Sequence, residues 1–389
     1  MIHTTSQEFL ESLKELVNID SYSKDPQGVA AVASVMKKKF EELGWHITEH
    51  HPSEEAGPLL VITNKVTAEE QDVSGATQGA PIYDVLLLGH MDTVFKTGTV
   101  AERPFSIDET HAYGPGVADM KDGLLAAYYV CKSLQKNKEL DNLSICVCFN
   151  PDEEISSRYS RPYIEALGKQ SGYCIVLESA RINGNFVNER KGIGKYMIEF
   201  FGKAAHAGVS PEKGANAINQ FLHTGQEINS WAKPELGTTI NIGTIQGGST
   251  PNTVPDYVKI VIDVRLKQLS EGERIHALMT DLPNHMTVSG VTAKVTGNIA
   301  RPPMVKTEKT MAFCAAVDEI CKKLGIKADW ESTGGGSDGN FVAALDVPTI
   351  DGFGPVGGNG HSVDECLEIK PIMERLNLLY ETVKWCGKR

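Results

Sequence analysis

Residues 85–94 read VLLLGHMDTV, and this stretch decides the fold. Its uninterrupted apolar run is typical of a strand buried on both faces, as in the middle of a parallel sheet. The run ends abruptly at His90, and Asp92 follows two residues later. Ligands of open α/β sheets bind beyond the carboxyl ends of the strands, so these two polar side chains indicate a functional site at one edge of the sheet.

Short apolar strands and helix-like segments alternate along the first half of the chain. The pattern predicts strands at 46–51, 59–63, 84–89, 143–150 and 173–178, and helices at 28–43, 120–135 and 161–168. This alternation is typical of βαβ units and predicts a mostly parallel sheet flanked by helices. Residues 64–83 are polar and rich in Gly, Ala and Thr, and we expect a surface hairpin or loop insertion there.

The middle of the chain has a different pattern. Its strands are longer and partly alternating in polarity, which predicts an antiparallel sheet with one exposed face. These strands are predicted at 194–202, 238–248 and 256–266, with helices at 213–231 and 269–284. The α/β pattern then returns with a helix at 308–324, a strand at 347–350 and a helix at 371–386. The predicted fold is therefore α/β, with a discontinuous catalytic domain (1–192 and 302–389) and an inserted α+β domain (193–301).

Composition excludes several classes of function. The chain has 389 residues and a formal net charge of −12, which argues against a nucleic-acid partner. No apolar run approaches the ~20 residues of a membrane span, and no signal peptide is recognisable, so we expect no membrane partner and a cytoplasmic location. The eight cysteines include no Cys-x-x-Cys pair. Cys146 and Cys148 alternate on one strand, and buried reduced side chains are favoured there over a paired thiol site.

Carboxylates and imidazoles recur at predicted strand ends and in glycine-rich loops. They are His90, Asp92, Asp119, Glu153, Glu154, Glu178 and His361. Clustered carboxylates repel one another unless a cation lies among them. The charge of two Zn²⁺ would balance three carboxylates and one hydroxide, and imidazole and carboxylate are ordinary zinc ligands. Ions ~3.5–4 Å apart also suit one bridging carboxylate, so the pattern predicts a two-metal site.

Spacing suggests distinct roles within this set. His90 would bind metal through one ring nitrogen, and Asp92 would accept the proton of the other. Glu153 and Glu154 are neighbours and point in different directions if the chain bends after its strand. One of them can then bind metal while the other takes a proton from water and returns it to a leaving amine.

Eight motifs occur in an order that resembles a known family. They are GHMDTV, YGPGVADMKDG, PDEE, LE, KAAHAG, DVR, GGGSDGNF and GHSVDE. In this order they resemble the co-catalytic dizinc peptidases and deacylases, which include aminoacylase, acetylornithine deacetylase and succinyl-diaminopimelate desuccinylase. The resemblance covers nearly the whole chain, and its motifs are most similar to the branch of bacterial glutamate carboxypeptidases.

The resemblance implies a role for each residue of the metal site. It places His90 and Glu178 on one zinc, Glu154 and His361 on the other, and Asp119 between them. It also implies that Glu153 is the general base, that Asp92 is the partner of His90, and that the Asp119–Met120 peptide bond is cis.

The resemblance further implies a substrate side. The inserted domain would act as a lid and mediate homodimerisation, and its His206 would stabilise the oxyanion, although capping or packing at a strand end is the alternative. Asn252, Arg265 and Arg301 match positions that contact substrate in the family. Gly336 in GGGSD is expected to approach the substrate with its backbone, and an ordinary tight turn is the alternative. A guanidinium binds a carboxylate in bidentate fashion, whereas an ordinary salt bridge is the alternative for both arginines.

One stretch departs from the branch it resembles. Glutamate carboxypeptidases read the glutamate side chain with a lysine, and Asn183 and Asn185 stand about where that lysine would fall. Arg181, Arg190 or Lys191 could replace it. The preference for glutamate is therefore left open by the sequence.

These observations predict a zinc-dependent carboxypeptidase-type enzyme that releases a free amino acid from a small peptide or N-acyl amino acid. Co²⁺ or Mn²⁺ are the alternative metals. An N-acyl-amino-acid deacylase or a di- or tripeptidase is the alternative activity. A non-catalytic amino-acid-binding relative is the alternative from another class, but it would be expected to lack a ligand or the base, and all are present here.

Overall fold

A computed structural model describes residues 1–65 and 82–388. Most of the insertion predicted at 64–83 lies outside the described residues. The chain divides into two compact units. The first contains Met1–Glu189, Lys306–Ser332 and Ser337–Arg389, and the second contains Arg190–Val305 together with Thr333–Gly336.

The elements are numbered in chain order within the described ranges. The helices are α1 (Ser6–Val17), α2 (Pro26–Glu41), α3 (Thr99–Glu102), α4 (Lys121–Lys136), α5 (Arg161–Lys169), α6 (Ala217–Ser230), α7 (Leu269–Asp281), α8 (Glu308–Leu324), α9 (Gly339–Ala343) and α10 (Ile372–Cys386). The strands are β1 (His46–His50), β2 (Leu59–Thr63), β3 (Tyr83–His90), β4 (Ser106–Ile107), β5 (His111–Tyr113), β6 (Ile145–Asn150), β7 (Ser171–Val176), β8 (Phe186–Arg190), β9 (Gly192–Phe201), β10 (Thr239–Gly247), β11 (Tyr257–Leu266), β12 (Thr292–Arg301), β13 (Trp330–Thr333), β14 (Thr349–Ile350), β15 (Gly357–Gly358) and β16 (Cys366–Glu368).

The first unit is built on a six-stranded sheet in the order β1-β2-β6-β3-β7-β14. β3 runs parallel to β6 and β7, and β14 runs parallel to β7. β1 and β2 form an antiparallel edge. The predicted mostly parallel mixed sheet is thus confirmed.

Helices cover both faces of this sheet, which explains the unbroken apolar sequence of β3. Leu87 packs into a core shared with α1, α2, α4 and α10. Its neighbours Leu86 and Leu88 pack on the other face against α5 and α9. Cys146 and Cys148 belong to that second apolar layer and are free and buried, so the interpretation of these cysteines as small apolar side chains is confirmed.

Strand register places three strand ends side by side. His90, the last residue of β3, pairs with Asn150, the last residue of β6. Leu88 pairs with Val176 at the end of β7. The segments that follow β3, β6 and β7 therefore leave the sheet at one edge. α4 begins close to this edge because Gly123 has no side chain, since a Cβ there would lie 2.1 Å from the carbonyl oxygen of Leu177.

The second unit is an antiparallel sheet in the order β10-β11-β9-β12. β11 alternates strictly, with Val258, Ile260, Ile262, Val264 and Leu266 buried and the residues between them partly exposed. The buried face packs against side chains of α6 and α7. The predicted antiparallel sheet with accompanying helices is confirmed, although β12 was not predicted as a strand.

A small antiparallel sheet, β15-β16-β5-β4, also belongs to the first unit. Its strands have two or three residues each, too few for a pattern of polarity to predict them. Cys366 of β16 pairs with Tyr113 of β5, which brings the loop that contains His361 next to the loop that contains Asp119.

Candidate metal centre

His90 lies at the end of β3 and is almost completely buried. Its Nε2 is 3.2 Å from Asp119 Oδ1 and 3.5 Å from Glu178 Oε1. Glu178 follows β7 by two residues, and Asp119 lies in the loop that leads into α4. One imidazole nitrogen and two carboxylates therefore meet at this edge of the sheet.

His361 forms a second group of the same kind. Its Nε2 is 3.1 Å from Asp119 Oδ2 and 3.1 Å from Glu154 Oε2. Its backbone is left-handed, with φ of 65°, and a Cβ on the preceding Gly360 would lie 3.2 Å from Asp119 Oδ2. The glycine thus permits the close approach of this loop to Asp119.

Asp119 joins the two groups, because each of its oxygens faces one histidine. The structure therefore brings together the five residues predicted as metal ligands. The cis peptide bond predicted at Asp119–Met120 is confirmed.

Asp92 lies behind His90 and is fully buried. His90 Nδ1 is 3.3 Å from Asp92 Oδ1 and 3.0 Å from the Asp92 carbonyl oxygen, so the ring has an acceptor on this side as predicted. The Asp92 carboxylate also accepts the backbone N–H groups of Glu153 and Glu154, at 3.1 and 3.2 Å. This second contact, which the sequence did not suggest, holds the 3-10 turn Glu153–Ile155 beside the histidine.

The donor set fits divalent metal ions. Glu154 Oε1 is buried and has no hydrogen-bond partner within residues 1–65 and 82–388. A buried carboxylate oxygen without a partner is costly unless a cation binds it. Two imidazole nitrogens and several carboxylate oxygens are ligands that zinc accepts.

The charges of the cluster lead to the same conclusion. Hydrogen bonds with Asp119 and Glu154 raise the pKa of His361 to about 11. Burial alone would lower the pKa of His90, but its hydrogen bonds with Asp119, Asp92 and Glu178 raise that pKa well above its usual value. Without metal, protons thus supply the positive charge that these carboxylates require. Divalent ions that displace the protons would supply it instead.

Comparison with known proteins decides the family. The model of peptidase family M20/M25/M40 matches residues 86–385, which is most of the chain. The chain belongs to this family. Members of the M20 family are metal-dependent, so the chain is a metal-dependent hydrolase, and that part of the prediction is confirmed.

Named relatives include both peptidases and deacylases. Carboxypeptidase G2 of a Pseudomonas species (strain RS-16) is 28% identical over 379 residues, which cover 94% of this chain and 86% of that protein. Succinyl-diaminopimelate desuccinylase of Dechloromonas aromatica is 27% identical over 328 residues, which cover 78% and 83%. Both names fall within the group of enzymes that the motifs resemble.

Solved structures of M20 enzymes share the fold. Aminopeptidase PepT of Bacillus cereus has a TM-score of 0.77 at 24% identity, with 99% of each chain covered. An M20 metallo-carboxypeptidase of Sulfolobus solfataricus has a TM-score of 0.71 at 17% identity, with 98% and 99% covered. Among the helices described here, none combines the length and apolar character needed to cross a bilayer.

The residues predicted to contact substrate in this M20 chain form two groups in the second unit. Arg301 is buried beside Gly336, where a Cβ would lie 2.9 Å from Arg301 Cδ. Arg265 Nη1 donates to the carbonyl oxygen of Gly334 at 3.1 Å, and its other nitrogens pair with Asp263. The salt bridge considered for Arg265 is therefore present, together with a contact to the glycine loop.

His206 and Asn252 form the other group. Ala207 N–H donates to the Asn252 carbonyl oxygen at 2.9 Å, and His206 is paired with Thr253 in an isolated bridge. Both His206 and Asn252 are exposed.

The structure also shows the contacts of the stretch in which this sequence departs from the glutamate carboxypeptidases. Asn183 and Asn185 both donate to Glu331 Oε1 at 2.6 Å. Arg190, one of the three candidate replacements, donates from Nη1 to Gly335 O at 3.2 Å and to Gly336 O at 3.5 Å, and so contacts the glycine loop.

Glu365 was not predicted as a site residue. Its carboxylate accepts three backbone N–H groups of the loop that contains Asp119. The available signal was its position four residues after His361 in GGNGHSVDE, but an acid in a polar loop is ordinarily exposed. Its complete burial required the structure.

Proposed function

We propose that this protein is a dizinc carboxypeptidase-type amidohydrolase that releases a free amino acid from a short peptide or an N-acyl amino acid. The observation that carries the proposal is Asp119, which faces His90 with one oxygen and His361 with the other. A carboxylate between two separate histidine–carboxylate groups is suited to bridge two ions.

His90, Asp119 and Glu178 would hold one ion, and His361, Asp119 and Glu154 would hold the other. The nitrogen and oxygen donors favour Zn²⁺, with Co²⁺ or Mn²⁺ as alternatives. When bound, the ions supply Lewis acidity toward the substrate carbonyl and make water a stronger nucleophile at neutral pH.

Glu153 is the proposed general base. The backbone N–H of Glu153 donates to the Asp92 carboxylate, and the next residue, Glu154, is one of the proposed ligands. Glu153 therefore lies next to the proposed metal centre. Its carboxylate would take a proton from water as the water oxygen attacks the carbonyl carbon. The same proton would then pass to the amine nitrogen as the C–N bond breaks, which releases a carboxylic acid and a free amino acid.

His206 would donate to the oxyanion that forms during attack. Asn252, Arg265, Arg301 and the backbone at Gly336 would bind the remainder of the substrate. The two arginines meet at the Gly334–Gly336 loop, and guanidinium groups recognise a carboxylate such as that of the released amino acid. The name of the carboxypeptidase relative supports this choice.

Deacylation is the second candidate activity. Relatives named succinyl-diaminopimelate desuccinylase match about as much in identity as the carboxypeptidase does. Asn183 and Asn185, which stand about where the lysine of glutamate carboxypeptidases would fall, both donate hydrogen bonds to Glu331. A specific preference for glutamate is therefore not part of the proposal.

We further propose a cytoplasmic homodimer formed through the second unit. β10 is an edge strand that is exposed along most of its length, and Ile245 on β10 and Leu222 on α6 are exposed apolar side chains. An uncovered strand edge is suited to pairing with another chain. A solution mass of one chain by light scattering would exclude the dimer.

Hydrolysis by the Zn²⁺-loaded protein tests the proposed reaction. The substrates are dipeptides with varied C-terminal residues, N-acetyl amino acids and folate-type acyl-glutamates, and the released amine is measured. We expect release of an amino acid that stops after chelation and returns when Zn²⁺ is restored. Glu153→Gln should lower kcat by about 10²–10⁴-fold because it removes the proton acceptor.

Glu41→Gln is the matched control, since Glu41 is an exposed acid at the end of α2. Its activity should equal that of the wild type. Stoichiometric metal without hydrolysis of any of these substrates would contradict the proposed reaction and support a non-catalytic binding protein. Full activity of Glu153→Gln would contradict the assignment of the base.

A further inference from the structure

Glu365 is a fully buried carboxylate in the loop between β15 and β16. Its Oε1 accepts the backbone N–H groups of Ala118 at 2.9 Å and Asp119 at 3.0 Å. Its Oε2 accepts the N–H of Gly116 at 3.0 Å. Three amides of one short segment therefore converge on a single carboxylate.

These amides belong to residues 116–119, which are part of the connection between β5 and α4 and present the proposed bridging ligand. Buried backbone N–H groups need an acceptor, and those of Gly116 and Ala118 have theirs in Glu365. A backbone N–H group that loses its acceptor in a buried loop destabilises the conformation of that loop. The conformation of this loop, and with it the direction of the Asp119 carboxylate, thus depends on Glu365.

Strand pairing explains why Glu365 reaches this loop. Cys366, the first residue of β16, pairs with Tyr113, the last residue of β5. Glu365 and the start of the Asp119 loop therefore leave the small sheet on the same side. Four residues before Glu365, His361 lies 3.1 Å from Asp119 Oδ2. One loop thus supplies both a proposed metal ligand and the acceptor that holds the neighbouring ligand's backbone.

We propose that Glu365 is a positioning residue of the metal centre, whose carboxylate fixes the 116–119 loop so that Asp119 faces His90 and His361 with one oxygen each. The inference rests on the metal centre of the proposed function, but not on the reaction or its substrate. Groups that orient metal ligands typically change metal affinity by ~10–100-fold when they are replaced.

Glu365→Gln is the sharpest test because it keeps the size of the side chain. Its NH₂ group would face at least one backbone N–H, donor against donor, because both oxygens of Glu365 accept such groups. Glu368→Gln is the matched control, since Glu368 lies on β16 three residues further along and is only partly buried. Both variants are measured for Zn²⁺ affinity by competition with a chromophoric chelator, and as Co²⁺-loaded proteins by visible absorption.

We expect Glu365→Gln to bind Zn²⁺ about 10–100-fold more weakly than Glu368→Gln and to show altered Co²⁺ absorption bands at saturating Co²⁺, with a folded apo protein by circular dichroism. The Co²⁺ bands report ligand geometry, which a purely stabilising residue would leave unchanged. If Glu365→Gln does not fold, Glu365→Asp replaces it. Its shorter carboxylate cannot reach both Gly116 and Ala118, so weaker Zn²⁺ binding is again expected.

A folded variant at position 365 whose Zn²⁺ affinity and Co²⁺ spectrum match those of Glu368→Gln would overturn the inference, even if its melting temperature were lower. Metal binding is measured here without substrate. A wild-type protein that binds two ions and hydrolyses nothing would therefore contradict the proposed reaction while leaving the role of Glu365 intact.

Discussion

His206 has a ring whose hydrogen bonding favours one tautomer. The N–H of Gly208 donates to His206 Nδ1 at 3.2 Å, so the proton of the neutral ring lies on Nε2. The side chain is exposed, and its backbone is tied to the segment that contains Asn252 and Thr253. An exposed imidazole with Nε2–H available is suited to donate to an oxyanion.

We expect His206→Ala to lower kcat by about 10²–10³-fold, the usual effect of losing one oxyanion donor, without changing the metal content. Steady-state kinetics with metal analysis measures both quantities. His223→Ala, an exposed histidine on α6, should behave as the wild type. Unchanged turnover in His206→Ala would remove His206 from the mechanism.

Individual site residues were predictable when a histidine or a carboxylate stood at the end of a buried strand or just after it. His90 and Glu178 meet this condition, and the structure brings them together. Glu365 does not, because its contacts are with backbone amides. Backbone angles, such as the φ of +73° at Gly116, decide which amides of residues 116–119 point inward. The pattern of side chains in the sequence does not encode these angles.

An ion pair between the buried Glu271 and the partly exposed Arg274 connects the helices and sheet of the second unit. Glu271 on α7 accepts from Arg274 Nε at 2.7 Å and Nη2 at 2.6 Å, and from Thr238 Oγ1 at 2.8 Å just before β10. Arg274 Nη2 also donates to the Trp231 carbonyl oxygen after α6, at 2.7 Å. The pair therefore holds α7 against the connection between α6 and β10.

The hydrogen bonds from Arg274, with that from Thr238, lower the pKa of Glu271 to about 2 from the ordinary 4.5. Because the folded-state pKa is the lower one, this stabilisation is present above pH 4.5 and is lost as the pH falls toward 2. We expect Glu271→Gln to lower the free energy of unfolding at pH 7 by of order 2 kcal/mol. The difference from the wild type should shrink below pH 4.5, as measured by urea unfolding at pH values where the protein stays folded.

Glu273→Gln, an exposed acid two residues further along α7, is the control and should change stability little at any pH. A deficit in Glu271→Gln that is the same at pH 7 and pH 4 would show that the ionised carboxylate is not the source of the stabilisation.

Helices and strands were predictable when they were long and when apolar and polar residues followed a regular pattern along them. β11 alternates over ten residues, and α8 has the bounds that its periodicity predicts. β12 was missed because its residues are mostly exposed or half-buried and include Gly297. The short strands β15 and β16 depend on pairing with β5, a long-range contact that no local pattern records.

The proposed metal ligands come from segments that are far apart in the chain. Asp119 and His361 are separated in sequence by the whole second unit, although both belong to the first. The change of pattern in the middle of the chain made an insertion predictable. That Thr333–Gly336 belongs to the second unit was not predictable, because it depends on packing rather than on local pattern.

Bound metal should therefore stabilise the first unit selectively, since the proposed ligands lie in that unit and the second has its own core. A ligand at ~1,000 times its Kd stabilises the folded state by ~4 kcal/mol. We expect chelation to speed amide hydrogen exchange by up to about 10³-fold at Ala118, Asp119, Glu153 and Glu154, whose N–H groups are bound by Glu365 or Asp92. Exchange in β9 and β11 should change little.

Hydrogen exchange with mass spectrometry or NMR distinguishes this expectation from global destabilisation. Restoring Zn²⁺ should return the four amides to slow exchange, which excludes irreversible damage by the chelator. Equal acceleration in β9, β11 and the metal loops would mean that the two units unfold together and that the separate cores do not confer independent stability. No acceleration at any of these amides would mean that metal binding is not coupled to the order of the loops, contrary to the proposed metal centre in which distant segments of the chain meet.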